Sequence, residues 1–93
     1  MPSMKASKIQ KNLKKKGFTE ERGDHLYFHY YDEKGNKTIA WTKLSHSANE
    51  IGEPLISQMA KQTQLSKPEF ERLINCTLSK EDYNSILKKK GIV

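Results

Sequence analysis

Cysteine occurs once in these 93 residues, at Cys76. A single thiol excludes an internal disulfide framework and any zinc site built on clustered cysteines. It suits a reducing compartment, and a cytoplasmic location is the expectation. Apolar residues are scarce too, at 34% of the chain, and no run of them approaches the roughly 20 that a membrane-spanning helix needs. The opening Met1-Pro2-Ser3-Met4-Lys5 lacks the apolar stretch of a secretory signal. What remains is one domain with a modest core, because a chain of this size buries roughly 60–70% of the surface its unfolded form exposes.

Acidic residues are outnumbered 11 to 17 by lysine and arginine, a net charge of +6. The excess is uneven. Residues 1–43 hold 10 basic and 5 acidic side chains, whereas residues 44–93 hold 7 and 6. Such a surface suits a polyanion, and nucleic acid fits better than a membrane surface because no strongly amphipathic helix with bulky apolar residues is present.

Periodicity predicts a helix over about residues 4–16, with Ala6, Ile9 and Leu13 on its core-facing arc and Lys8, Lys11 and Lys15 on another. Lys14-Lys15-Lys16 followed by Gly17 is a helix stop, with cations at the negative end of the dipole. Three strands follow. Phe18 to Arg22 reads as extended; residues 25–31 alternate, with Leu26, Phe28 and Tyr30 on one face and His25, Tyr27, His29 and Tyr31 on the other. Asp32 to Asn36 forms a hairpin loop, and Thr38 to Leu44 is the third strand, with Trp41 near its centre.

The rest is helical. Pro54 opens a helix through about Thr63, with Leu55, Ile56, Met59 and Ala60 expected inward. Residues 65–74 and 78–87 form a near-repeat, each copy carrying a leucine, a serine N-cap (Ser66, Ser79) and an acid three residues on. The predicted fold is α+β: an α-β-β-β-α order with a three-stranded antiparallel sheet packed on helices. Two short C-terminal helices, residues 65–93, would form a hairpin on the same domain.

Exposed aromatics interleaved with histidines are how stacking platforms for unpaired bases are built, with basic groups nearby for phosphates. His25, His29 and His46 could in principle meet at a metal, but no zinc-type spacing accompanies them, and no metal or other cofactor is expected. RNA cleavage needs neither. The RNA supplies its 2′-OH as nucleophile, an imidazole serves as base or acid near neutral pH, and cations stabilise the added charge.

Lys5-Ala6-Ser7-Lys8-Ile9, Leu13 through Phe18, and Gly23-Asp24-His25 lead into the 38–42 strand, His46, and Glu50-Ile51-Gly52 before Leu55-Ile56-Ser57-Gln58-Met59. In this order, over about residues 4–64, the chain resembles the HicA family of toxin–antitoxin toxins. The resemblance implies a dsRBD-like core over residues 1–64 and a metal-independent endoribonuclease acting on mRNA. It also implies a HicB-like antitoxin as protein partner. By the resemblance His25 would be catalytic; by the reading of the residues themselves Lys8, Lys11, Lys15, Tyr27 and His29 would contact RNA, and His46 would be an accessory group.

Two features depart from the family. Asp24 stands where the family favours serine, which adds a negative charge beside the imidazole and opposes phosphate. The hairpin at 65–93 is an addition. The rival reading is a binding module of the same shape that holds RNA, or an acidic protein partner, without turnover. DNA binding by the near-neutral helical end is weaker still.

Overall fold

In the computed structural model, which describes residues 3–93, the chain runs β1 (Met4–Lys5), α1 (Ala6–Lys15), β2 (Phe18–Arg22), β3 (Leu26–Tyr31) and β4 (Lys37–Leu44). It continues with β5 (Glu50–Ile51), α2 (Glu53–Gln62), α3 (Lys67–Ile74) and α4 (Lys80–Lys89). The protein is α+β, with β2-β3-β4 as an antiparallel sheet. Phe18 pairs with Tyr30 across β2 and β3, and Leu26 pairs with Leu44 across β3 and β4. A second, two-stranded sheet was not anticipated: Met4 lies opposite Ile51 and Lys5 opposite Glu50. Two residues cannot display a period of two, so the pattern carried no sign of it.

The strand alternation fixes the layers. Leu26, Phe28 and Tyr30 of β3 and Ala40, Thr42 and Leu44 of β4 are buried, with half-buried or exposed residues between them. Against this face pack Ile9 and Leu13 of α1, Ile56 and Met59 of α2, Phe70 and Leu73 of α3, and Tyr83 and Leu87 of α4. The overall extents of 32 × 29 × 18 Å fit one helical layer on one sheet, since packed layers are spaced by about 10 Å. Among the described residues, no helix covers the sheet's other face.

Residues 65–93 complete this core. Tyr83 stacks on Phe18 with ring centroids 5.6 Å apart and meets Tyr30 edge-on at 5.0 Å. Its hydroxyl donates to the carbonyl of Thr63 at 2.8 Å, and the Tyr30 hydroxyl donates to Asn84 Oδ1 at 2.8 Å. Both helices open on their serines: Ser66 and Glu69 form a reciprocal capping box, and Ser79 accepts from the Asp82 backbone N–H. Leu65 and Leu78, before the caps, are buried in the same cluster. The turn from α1 into β2 needs Gly17, which sits at φ +100° with Lys80 Cε only 3.0 Å and Tyr30 Cε1 3.1 Å from where a Cβ would stand.

Two sequence expectations change. Leu55, expected inward, is 51% exposed. The lysine run on α1 is also less uniform than it reads. Lys16 is buried and donates to the Leu78 carbonyl, Lys14 pairs with Glu20 at 2.9 Å, and Lys8 donates to Asn75 Oδ1 at 2.6 Å.

Candidate functional site

β2 and β3 are joined by Gly23, Asp24 and His25, a loop closed by the Gly23 N–H donating to the His25 carbonyl at 3.0 Å. From outside, His46 Nε2 lies 2.8 Å from the Gly23 carbonyl oxygen. A carbonyl only accepts, so His46 carries its proton on Nε2 and donates. His46 thus clamps the turn from the loop after β4, which brings the residue expected as an accessory group against the Gly23–His25 segment.

The turn presents His25 with its two nitrogens in different settings. The side chain is 39% exposed, yet Nδ1 is fully buried and makes no hydrogen bond among the described residues. Its nearest acidic atom is Asp24 Oδ2, 3.5 Å away. The other Asp24 oxygen, Oδ1, accepts the Tyr27 hydroxyl at 2.8 Å. That bond holds the Asp24 carboxyl below its ordinary range and pushes the Tyr27 hydroxyl above its own. Tyr27, Asp24 and His25 therefore form a line in which the hydroxyl fixes the carboxylate and the carboxylate faces the imidazole.

Beyond the turn, the uncovered sheet face is aromatic. His29 lies opposite Trp41 in the β3–β4 register and stacks on it, with ring centroids 6.5 Å apart at 24°. Glu21 of β2 comes within 3.6 Å of His29 Nε2. Burial, with Lys37 second, pushes the His29 imidazole below its ordinary range, so it is neutral at pH 7. Lys43 lies opposite Tyr27, and Ile39 is 65% exposed. Trp41, Lys43 and Ile39 were legible as surface residues: if Ala40, Thr42 and Leu44 point inward, the odd positions point out.

The structure separates Lys8, Lys11 and Lys15 from this face. α1 turns Ala6, Ile9 and Leu13 toward the sheet, and at 100° per residue the three lysines lie on the opposite arc, facing away from it. The start of α1 is tied to the connection that carries His46, since the Ala6 N–H donates to the carbonyl of Asn49 at 2.8 Å. At about 1.5 Å per residue, Lys15 is roughly 13 Å further along the helix axis than Ala6. The lysine that shares a cavity with His25 is Lys43.

Among the described residues, no group of three or more histidine, cysteine, aspartate or glutamate side chains could hold a metal ion. Cys76 lies just past α3 at φ +65° and donates its thiol to Asn12 Oδ1 at 2.9 Å. No helix is long and apolar enough to cross a membrane. Set against known proteins, the chain matches no family model, no curated protein and no solved structure. The likeness to HicA toxins thus rests on the quoted residues alone.

Proposed function

We propose that this protein is a small, metal-independent endoribonuclease of the HicA toxin type, acting on mRNA in the cytoplasm with His25 as its acid–base group. The observation that carries the reading is the Tyr27–Asp24–His25 line. A histidine with one nitrogen turned to a fixed carboxylate and a partly exposed ring can move a proton at its other nitrogen. At that position the imidazole takes the proton from a ribose 2′-OH as the oxygen attacks the adjacent phosphorus. Lys43, which lines the same cavity as His25, would stabilise the charge that gathers on the pentacoordinate phosphate. The bond from phosphorus to the 5′-oxygen breaks and that oxygen takes its proton from water, so the products are a 2′,3′-cyclic phosphate and a 5′-hydroxyl.

Tyr27, His29 and Trp41 give unpaired bases a surface to stack on. Lys8, Lys11 and Lys15 act in this reading through their field, drawing RNA in without touching the cleaved phosphate. A HicB-like antitoxin would silence the enzyme by covering the His25 turn. The test is single-stranded mRNA incubated with the protein in EDTA. Cleavage leaving cyclic phosphate ends, abolished by 2′-deoxy substitution at the cut site, is the expected result; intact RNA would overturn the reading.

A second reading has its own observation. The stacked His29–Trp41 pair and exposed Ile39 would hold RNA whether or not His25 turns it over. If binding weakens about tenfold in Trp41→Ala while RNA is recovered intact from the wild type, the protein is a binding module.

A further inference from the structure

We propose that the cavity beside His25 receives one unpaired pyrimidine base of the RNA, next to the cleaved phosphate; this rests on the nuclease reading above. The cavity, about 160 Å³, opens between the end of β4 and one side of α2, from Leu55 to Gln62. Its walls are Leu44, Ala48, Ile51, Leu55 and Met59. This is where the half-exposed Leu55 is used: it leaves the core to form the cavity's rim. An apolar cavity of about 150 Å³ holds a benzene ring, so one six-membered heterocycle is accommodated and a fused purine is crowded.

Polar groups sit where a pyrimidine nucleotide would need them. Gln62 accepts the Thr42 hydroxyl on its oxygen at 2.8 Å, which leaves its amide N–H groups to donate to a pyrimidine carbonyl. Gln58 is the second amide of the wall, and His25 and Lys43 also line the cavity. An inserted base would thus carry its phosphate to the imidazole and the ammonium, a match of charge between mouth and ligand. Lys43 belongs both to the cavity lining and, opposite Tyr27, to the aromatic sheet face, so the two meet at the end of β4. A strand crossing that face would reach His25 and then turn one base in.

The test uses the full chain and cytidine, uridine and adenosine 3′-monophosphates as probes, followed by methyl NMR. Cytidine and uridine 3′-monophosphates should shift the Leu55, Met59 and Ile51 methyls at concentrations at least tenfold below those needed for adenosine 3′-monophosphate. Ala48→Leu, which fills the cavity, and Leu55→Ala, which removes its rim, should each abolish that difference. In RNAs with one variable nucleotide, cleavage beside pyrimidines should run at least tenfold faster than beside purines in the wild type alone. Absence of methyl shifts with the pyrimidine nucleotides would overturn the cavity's assignment, whatever the cleavage assay shows. Pyrimidine-selective shifts in a protein that leaves RNA intact would retain the cavity and overturn the nuclease.

Discussion

The Tyr27 hydroxyl donates to Asp24 Oδ1 at 2.8 Å, so the residue that departs from the HicA pattern is held in place by the sheet. Its second oxygen is thereby left facing the buried Nδ1 of His25. A free carboxylate at a phosphate site would be a hindrance; a tethered one orients an imidazole. Tyr27→Phe keeps the ring for stacking and frees Asp24. The expected outcome is a three- to tenfold lower kcat, roughly the loss of one charge-assisted hydrogen bond at a surface. KM should stay within about twofold because the ring remains. A raised KM with unchanged kcat would show that the hydroxyl serves binding instead.

The placement of the lysines separates two electrostatic roles. Lys43 shares the cavity with His25, while Lys8, Lys11 and Lys15 face away from the sheet. Lys43→Gln should therefore lower the cleavage rate of bound RNA by about tenfold, the loss of one stabilising cation. The triple change of Lys8, Lys11 and Lys15 to Gln should leave that rate unchanged and slow association, increasingly so as salt is lowered. Stopped-flow binding and single-turnover cleavage distinguish the two.

How far the sequence foretold this arrangement depended on range. The alternation in β3 was readable because half-buried strands repeat every two residues, and that placed Tyr27 and His29 on the open face. The same parity in β4 puts Trp41 on that face, between buried Ala40 and Thr42. The azimuth of α1 relative to the sheet is set by packing across the whole domain, so three lysines on one arc gave no warning that they point away from His25. Leu55 looked like core because an apolar residue at helical spacing reads the same whether it lines the interior or a cavity. Neither His46 on the Gly23 carbonyl nor Asp24 on Tyr27 has a local signature beyond residue type.

Acid should loosen the packing of α1 on β2. Glu20 accepts from Lys14, Gln10 and Arg22, and its carboxyl is held down at about 2, with the Lys14 bond the largest cause. A group whose folded value lies below its unfolded one stabilises the fold above the unfolded value, and that contribution fades as pH falls toward the folded one. Stability should thus drop between about pH 4.5 and about 2. Glu20→Gln should lose roughly 1 kcal/mol at pH 6, since its cationic partners Lys14 and Arg22 are well exposed. Its melting temperature should also vary less with pH over the acid range, as thermal unfolding by circular dichroism would read.

Removing the C-terminal hairpin should remove the fold. Phe70, Leu73, Ile74, Tyr83 and Leu87 are all fully buried, and Tyr83 stacks against Phe18 of the first half. Loss of even one such side chain costs about 2–5 kcal/mol, comparable to the whole stability of a small domain. A chain ending at residue 64 should give the amide spectrum of an unfolded polypeptide. A dispersed spectrum from that piece would make residues 65–93 a dispensable appendage.

The most direct measurement is single-turnover cleavage of a single-stranded RNA in EDTA by the wild type and His25→Ala, with RNA affinity measured beside it. The account predicts a rate at least a hundredfold lower in His25→Ala, as loss of a general acid–base group gives, with affinity changed by less than threefold. Equal cleavage by the two proteins, or no cleavage by the wild type, would contradict it.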